Sequence, residues 1–192
     1  MKPTARTPRS VAAAASSGRP AERPARTPEQ ALAALMRLCA RAEKCEGDAR
    51  RLMRGWGLSQ HDAAAVLERL VRDRFIDDRR YAALFVREKT RLSGWGAYKI
   101  RTALARKEIA RETIDEALAA IDPAAQRPRL EEQLRRKMRT LRSKTPYELK
   151  TKLIRYGLSL GYPYETVLDA ASACVRTETT ANDDEPCDEC FF

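Results

Sequence analysis

Three short stretches decide the fold: Met53-Arg-Gly-Trp-Gly57-Leu58, Leu104-Ala-Arg-Lys-Glu108-Ile109 and Leu153-Ile-Arg-Tyr-Gly157-Leu158. They recur at offsets of 51 and 49 residues. Four residues before each stretch stand Ala49, Ile100 and Leu149, so each copy carries an apolar i, i+4 pair on one helical face. The last position but one of each stretch is suited to a left-handed, helix-terminating residue. Gly57 and Gly157 meet that demand, whereas Glu108 does not. Downstream, Val66-Leu67-Leu70, Ala117-Leu118-Ile121 and Val167-Leu168-Ala171 anchor a second, shorter helix, the third copy needing a one-residue insertion around Ser159 to Pro163. A longer helix precedes each copy. The period therefore reads as helix-helix-helix, used three times.

Working outward, Thr27-Pro28-Glu29-Gln30 and Thr145-Pro146-Tyr147-Glu148 have the form of helix starts, with a capping hydroxyl, proline in the first turn and a side chain able to reach back. Asp122-Pro123 closes a helix near Ile121. No alternating strand pattern of useful length occurs. The spacing predicts helices over about 28–44, 47–56, 59–73, 78–92, 96–107, 110–121, 126–142, 146–156 and 163–175. The expected fold is all-α, an elongated array of three tandem three-helix repeats at 29–76, 77–122 and 123–176. Units this short bury little alone and gain their stability by stacking.

The 192 residues include 37 Lys and Arg against 27 Asp and Glu, a net charge of +10. Residues 1–28 carry net +5, five prolines and no leucine, which predicts a disordered basic arm. Residues 177–192 carry net −6 and read as a disordered acidic tail able to fold back over basic surface. The repeats themselves hold net +11. One histidine, His61, leaves no multi-histidine metal site, and no phosphate-binding glycine-lysine loop is present. No apolar run approaches the length of a membrane span. The five cysteines, an odd number with no secretory signal, fit reduced thiols in the cytoplasm. Cys187-Asp-Glu-Cys190 has metal-type spacing but no second pair to complete four ligands. Asp77-Asp78 stands at a helix start, where carboxylates satisfy free amides. With no nucleophile, base or metal constellation, the sequence reads as a binding protein without cofactor, not an enzyme.

The binding candidates are cationic. Arg50, Arg101 and Lys150 share one column of the repeat, and Arg106 and Arg155 another, where the first copy has Gly55. With Lys99 and Lys152 they compose the expected basic strip. Trp56 and Trp95, set in Gly-Trp-Gly joints, are candidates either for stacking on bases or for packing at helix junctions. Tyr98, Tyr147, Tyr156, Tyr162 and Tyr164 carry the same alternatives.

The run Phe75-Ile-Asp-Asp-Arg-Arg-Tyr-Ala82, with Phe85-Val86, Gly96 and Lys99-Ile-Arg-Thr-Ala-Leu104, resembles the RecX family over about residues 29–175. That family ends this segment in Lys-Gly-Ile, whereas here it reads Lys107-Glu108-Ile109. The resemblance implies that the elongated array of three three-helix repeats is curved, and that the protein is a cytoplasmic modulator of the RecA recombinase. Such a protein binds RecA or the RecA–single-stranded DNA filament and inhibits its ATPase, coprotease and strand-exchange activities. A monomer without membrane contact is expected, and the alternative, read from the short paired helices and the basic charge, is direct DNA binding by the basic repeats.

Overall fold

In the computed structural model, residues 25–183 are described, with side chains as far as Arg176. Cys187 and Cys190 and most of the basic arm and acidic tail lie outside the described residues. Among the described residues there are nine helices and no strand: α1 (Pro28–Arg41), α2 (Glu46–Gly55), α3 (Gln60–Arg72), α4 (Asp78–Leu92), α5 (Ala97–Ala105), α6 (Arg111–Ala119), α7 (Pro123–Met138), α8 (Pro146–Ser159) and α9 (Tyr164–Asp183). They pack in threes, α1–α3, α4–α6 and α7–α9.

Each trio has its own core. Leu35, Ala49, Met53, Val66, Leu67, Leu70 and Ile76 are buried together in the first. Ala82, Val86, Ile100, Leu104, Ile114 and Leu118 fill the second. Leu130, Leu134, Leu153, Leu160, Tyr162 and Val167 fill the third. The apolar i, i+4 pairs of the repeat are thus the inward faces of α2, α5 and α8. Three small cores in place of one large one define a repeat array, in which neighbouring units stabilise one another.

The middle helices follow one another through the array. Equivalent backbone bonds close each of them: Leu58 N–H to Met53 O (3.2 Å), Ile109 N–H to Leu104 O (3.4 Å) and Tyr162 N–H to Gly157 O (3.5 Å). The left-handed residues before these donors are Gly57 (φ 77°), Glu108 (φ 64°) and Gly161 (φ 86°). This corrects the expected end of the third copy. Gly157 is helical and buried against Val167, and α8 runs one turn further, to stop at Gly161. Counted from their N-caps, Cys45, Gly96 and Thr145, the 51- and 49-residue offsets are those of the helix starts. The extra residues of the third copy lie at the helix end.

Local chemistry accounts for the other starts. Thr27 and Gln30 form the expected reciprocal capping box. Thr145 Oγ1 accepts from Glu148 N–H (3.2 Å), but Glu148 reaches one residue further back and accepts from Lys144 N–H (3.0 Å). Asp77 caps α4 through Arg80 N–H (3.0 Å), whereas Asp78 accepts from Glu46 N–H (2.9 Å) and so caps α2 of the preceding unit. Two features lie inside stretches that composition assigned to the arm and tail. Arg26 N–H donates to Trp56 O (3.1 Å), and α9 continues to Asp183 where its end was expected near 175. No glycine or proline interrupts 176–183, so the helix has no local stop there.

The end of each middle helix is covered by whatever precedes it in the array. Trp56 O accepts from Arg26, Lys107 O lies against Gly47 and the Cys45 thiol (3.9 Å), and Leu160 O accepts from Gly96 N–H (2.8 Å). Gly47 and Gly96 are required by close approach, since a methyl group on either would overlap the Lys107 or Gly161 carbonyl. At the start of α8 the corresponding places hold Thr145 and Tyr147.

Candidate functional site

The two joints differ in chemistry. Between the first and second units, Lys107 Nζ binds Asp48 at 2.7 and 3.0 Å and lies over the Tyr81 ring (5.3 Å). Arg80 pairs with Glu43 (2.9 Å), and Arg50 with Glu108 (3.8 Å). Burial alone would raise the Asp48 carboxyl, but the bond from Lys107, with Cys45 and Arg51, holds it below its ordinary range. Burial disfavours the Lys107 charge, yet Asp48 and Tyr81 outweigh it and raise the ammonium. The Cys45 thiol, fully buried at this joint, is pushed up by burial to about 11. Between the second and third units the joint is backbone and aromatic. Gly96 and Tyr98 N–H groups donate to Leu160 O and Gly161 O, and Trp95 packs against both cores.

The expected basic residues fall into separate settings. Arg50 and Arg101 each line an equivalent groove between a unit's second and third helices. The first groove, about 960 Å³, runs past Arg50, Arg54, Leu58, Ala63, Leu67 and Val71. The second, about 440 Å³, runs past Arg101, Ala105, Ile109 and Ile114. Both arginines are paired, Arg50 with Glu46 (2.5 Å) and Arg101 with Asp115. Lys150, at the same position of α8, is half-buried and has no acidic partner among the described residues. Arg106 and Arg155 are exposed and likewise unpaired. They stand five residues beyond the first column, about 140° round the helix, so the two columns form two faces rather than one ridge. Lys99 and Lys152 are committed to structure. Lys99 donates to Ser159 O (2.9 Å) and lies over Trp95 (4.7 Å), while Lys152 donates to Arg142 O (2.7 Å) and pairs with Glu148 (2.6 Å).

The aromatic candidates separate clearly. Trp56 is half-buried under the Arg26 guanidinium (4.2 Å), and Trp95 is wedged at the joint with Phe85 edge-on (6.3 Å) and Lys89 and Lys99 over its ring. Both are used in packing. Tyr162 is buried, and Tyr156 lies beneath Lys137. The rings that face solvent are Tyr98, Tyr147 and Tyr164, exposed by 74%, 81% and 57%. Residue type alone does not separate them from the packed rings. The signal that could is the pattern Tyr-x-x-(Arg/Lys)-Thr, present at 98–102 and again at 147–151. The basic run after α7, with Arg139, Arg142 and Lys144 exposed and unpaired among the described residues, was also not singled out. Among the described residues, no group of three His, Cys, Asp or Glu could hold a metal ion, and no helix is long and apolar enough to cross a membrane.

An all-α array of three-helix units, cationic on its outer faces and joined head to tail, defines a helical-repeat protein. The comparisons with known proteins give the family. Residues 77–118 match the second three-helix domain of RecX, and 129–170 match the third. The regulatory protein RecX of Mycobacterium sp. (strain JLS) is 30% identical over 148 residues, covering 75% of this chain and 81% of that protein. RecX of Mycolicibacterium vanbaalenii is 34% identical over 111 residues, covering 58% and 60%. RecX of Clostridium botulinum (strain Eklund 17B / Type B) is 28% identical over 124 residues, covering 64% and 58%. The chain thus spans about three-fifths of the length of these last two curated relatives. The crystal structure of RecX from Lactobacillus salivarius superposes with a TM-score of 0.64 at 15% identity, over 77% of this chain and 96% of that one, which shows the shared fold. The chain belongs to the RecX family of regulatory proteins.

Proposed function

We propose that this protein is a non-enzymatic regulator of RecA, acting in the cytoplasm. It binds RecA or the RecA–single-stranded DNA filament and inhibits the ATPase, coprotease and strand-exchange activities that drive recombinational repair. Family membership is the observation that carries this reading. The array supports it physically. Several similar units, each presenting cations along a run of end-to-end helices, can hold a repeating, negatively charged filament by many weak contacts that reinforce one another. The test is a titration of RecA's single-strand-dependent ATP hydrolysis. Substoichiometric protein lowers the rate, and a Lys150→Glu, Arg155→Glu variant needs about tenfold more protein for the same effect. An unchanged rate at equimolar protein would refute the reading.

A second reading, direct binding of nucleic acid, is favoured by one observation. Lys150, Arg106 and Arg155 recur without acidic partners among the described residues, which leaves their charge available to phosphates.

A further inference from the structure

We infer that Tyr98 with Arg101, and Tyr147 with Lys150, are two copies of one subsite for single-stranded polynucleotide, each pairing a base-stacking ring with a phosphate-binding cation. The inference deepens the direct nucleic-acid reading and rests on it.

The two tyrosines occupy equivalent places in their units. Each is the second residue of its unit's middle helix, α5 or α8. Each is followed at i+3 by the column cation and at i+4 by a threonine. The threonine hydroxyl donates to the tyrosine's own carbonyl, Thr102 to Tyr98 and Thr151 to Tyr147, both at 2.9 Å. Residues three apart on a helix are neighbours, so ring and cation share one side of the helix. Both rings are exposed, by 74% and 81%. The fold makes no use of them in its cores, and two aromatic rings held in water at repeat-equivalent places are unexplained by packing. In the first unit the corresponding residue is Gly47, buried under the next unit. The pair therefore exists only in the second and third units.

The surrounding charge favours a polyanion. Glu148, beside Tyr147, is taken up by Lys152 (2.6 Å) and Lys144 N–H (3.0 Å). Arg142 and Lys144 precede the same helix, exposed and without acidic partners among the described residues. At the other copy, Asp115 is shared between Arg101 and Arg111, which leaves that group net positive. A cation beside an open aromatic face suits a single strand, whose unstacked bases offer π faces and whose backbone offers phosphates. A duplex hides those faces, whereas a protein surface offers neither unstacked bases nor a regular line of phosphates.

The experiment measures fluorescence anisotropy of a labelled oligothymidylate with the full chain and no RecA. Wild type binds, and its affinity falls as salt rises. Tyr98→Ala and Tyr147→Ala each weaken binding about tenfold, a loss within the range of one stacked base, while Tyr→Phe at either site stays within roughly twofold. A duplex of the same length shows no dependence on the tyrosines. Both rings are exposed, so the variants fold, which far-ultraviolet circular dichroism verifies. If wild type binds but the double alanine variant binds equally well, the subsite is wrong and direct binding stands. If wild type binds no oligonucleotide even at low salt, both fail. If the alanine variants lose RecA inhibition but keep their oligonucleotide affinity, the surface serves a protein and the subsite is again wrong.

Discussion

Glu108 shows how one residue can depart from its repeat and still hold its place. Its backbone is left-handed, at φ 64°, a conformation that costs a residue with a Cβ about 1–2 kcal/mol. The return is an ion pair with Arg50 at 3.8 Å between half-exposed groups, which contributes little. Glu108→Gly should therefore stabilise the protein by about 0.5–1 kcal/mol, read as a higher urea midpoint. The need for a left-handed residue here was legible from Gly57 in the aligned copy. What could not be read was whether Glu108 would accept it or end the helix differently, because that depends on the unit docked against it. Cys45 carries a pH dependence of known sign. Its folded pKa, about 11, lies above its ordinary 9.0, so the neutral thiol favours the folded state. That stability is whole below pH 9 and is lost as pH rises toward 11, a fall of about 2–3 kcal/mol. Lys107, also raised, adds a loss of the same sign above its ordinary 10.5. Urea melts at pH 8 and pH 11 should show the drop, and Cys45→Ser should remove the thiol's share.

At the scale of the helix, periodicity located all the elements because caps and apolar spacing are local properties. It misplaced the end of α8 because Gly157, a sound stop signal by itself, lies inside the helix. A Cβ there would lie 2.6 Å from Val167 Cγ1, so that glycine serves the packing of α8 on α9. The stop is Gly161, where φ is 86° and an added Cβ would meet Lys99 at 2.5 Å. Gly161→Ala should cost about 2–4 kcal/mol, through the left-handed backbone and the overlap together. Gly55 is the contrasting case. It is helical, and nothing lies within 4 Å of an added Cβ, so Gly55→Ala should stabilise by about 0.5–1 kcal/mol in thermal melts. The basic columns were legible as sequence positions. Their pairing was legible only for Arg50, whose partner Glu46 stands one turn back on α2; Asp115, the partner of Arg101, comes from α6.

Across the whole molecule, the two joints should respond differently to the same disturbance. The first relies on Asp48–Lys107 and its neighbouring ion pairs, the second on backbone hydrogen bonds and Trp95. Lys107→Met should speed amide exchange in α2 and the last turn of α5 while α7–α9 keep their protection, as expected where coupling runs only between neighbours. The closure of the array at its two extremities has a separate consequence. Contacts of one kind repeated head to tail are heterologous, and heterologous contacts propagate into open fibres when both mating surfaces stay available. Here Arg26 already occupies the Trp56 carbonyl, while Thr145 and Tyr147 put side chains where Gly96 and Gly47 leave room. One molecule thus offers a second neither a vacant acceptor nor a bare donor turn, so head-to-tail growth through these carbonyls is not expected, and sedimentation of the concentrated protein should show no fibres.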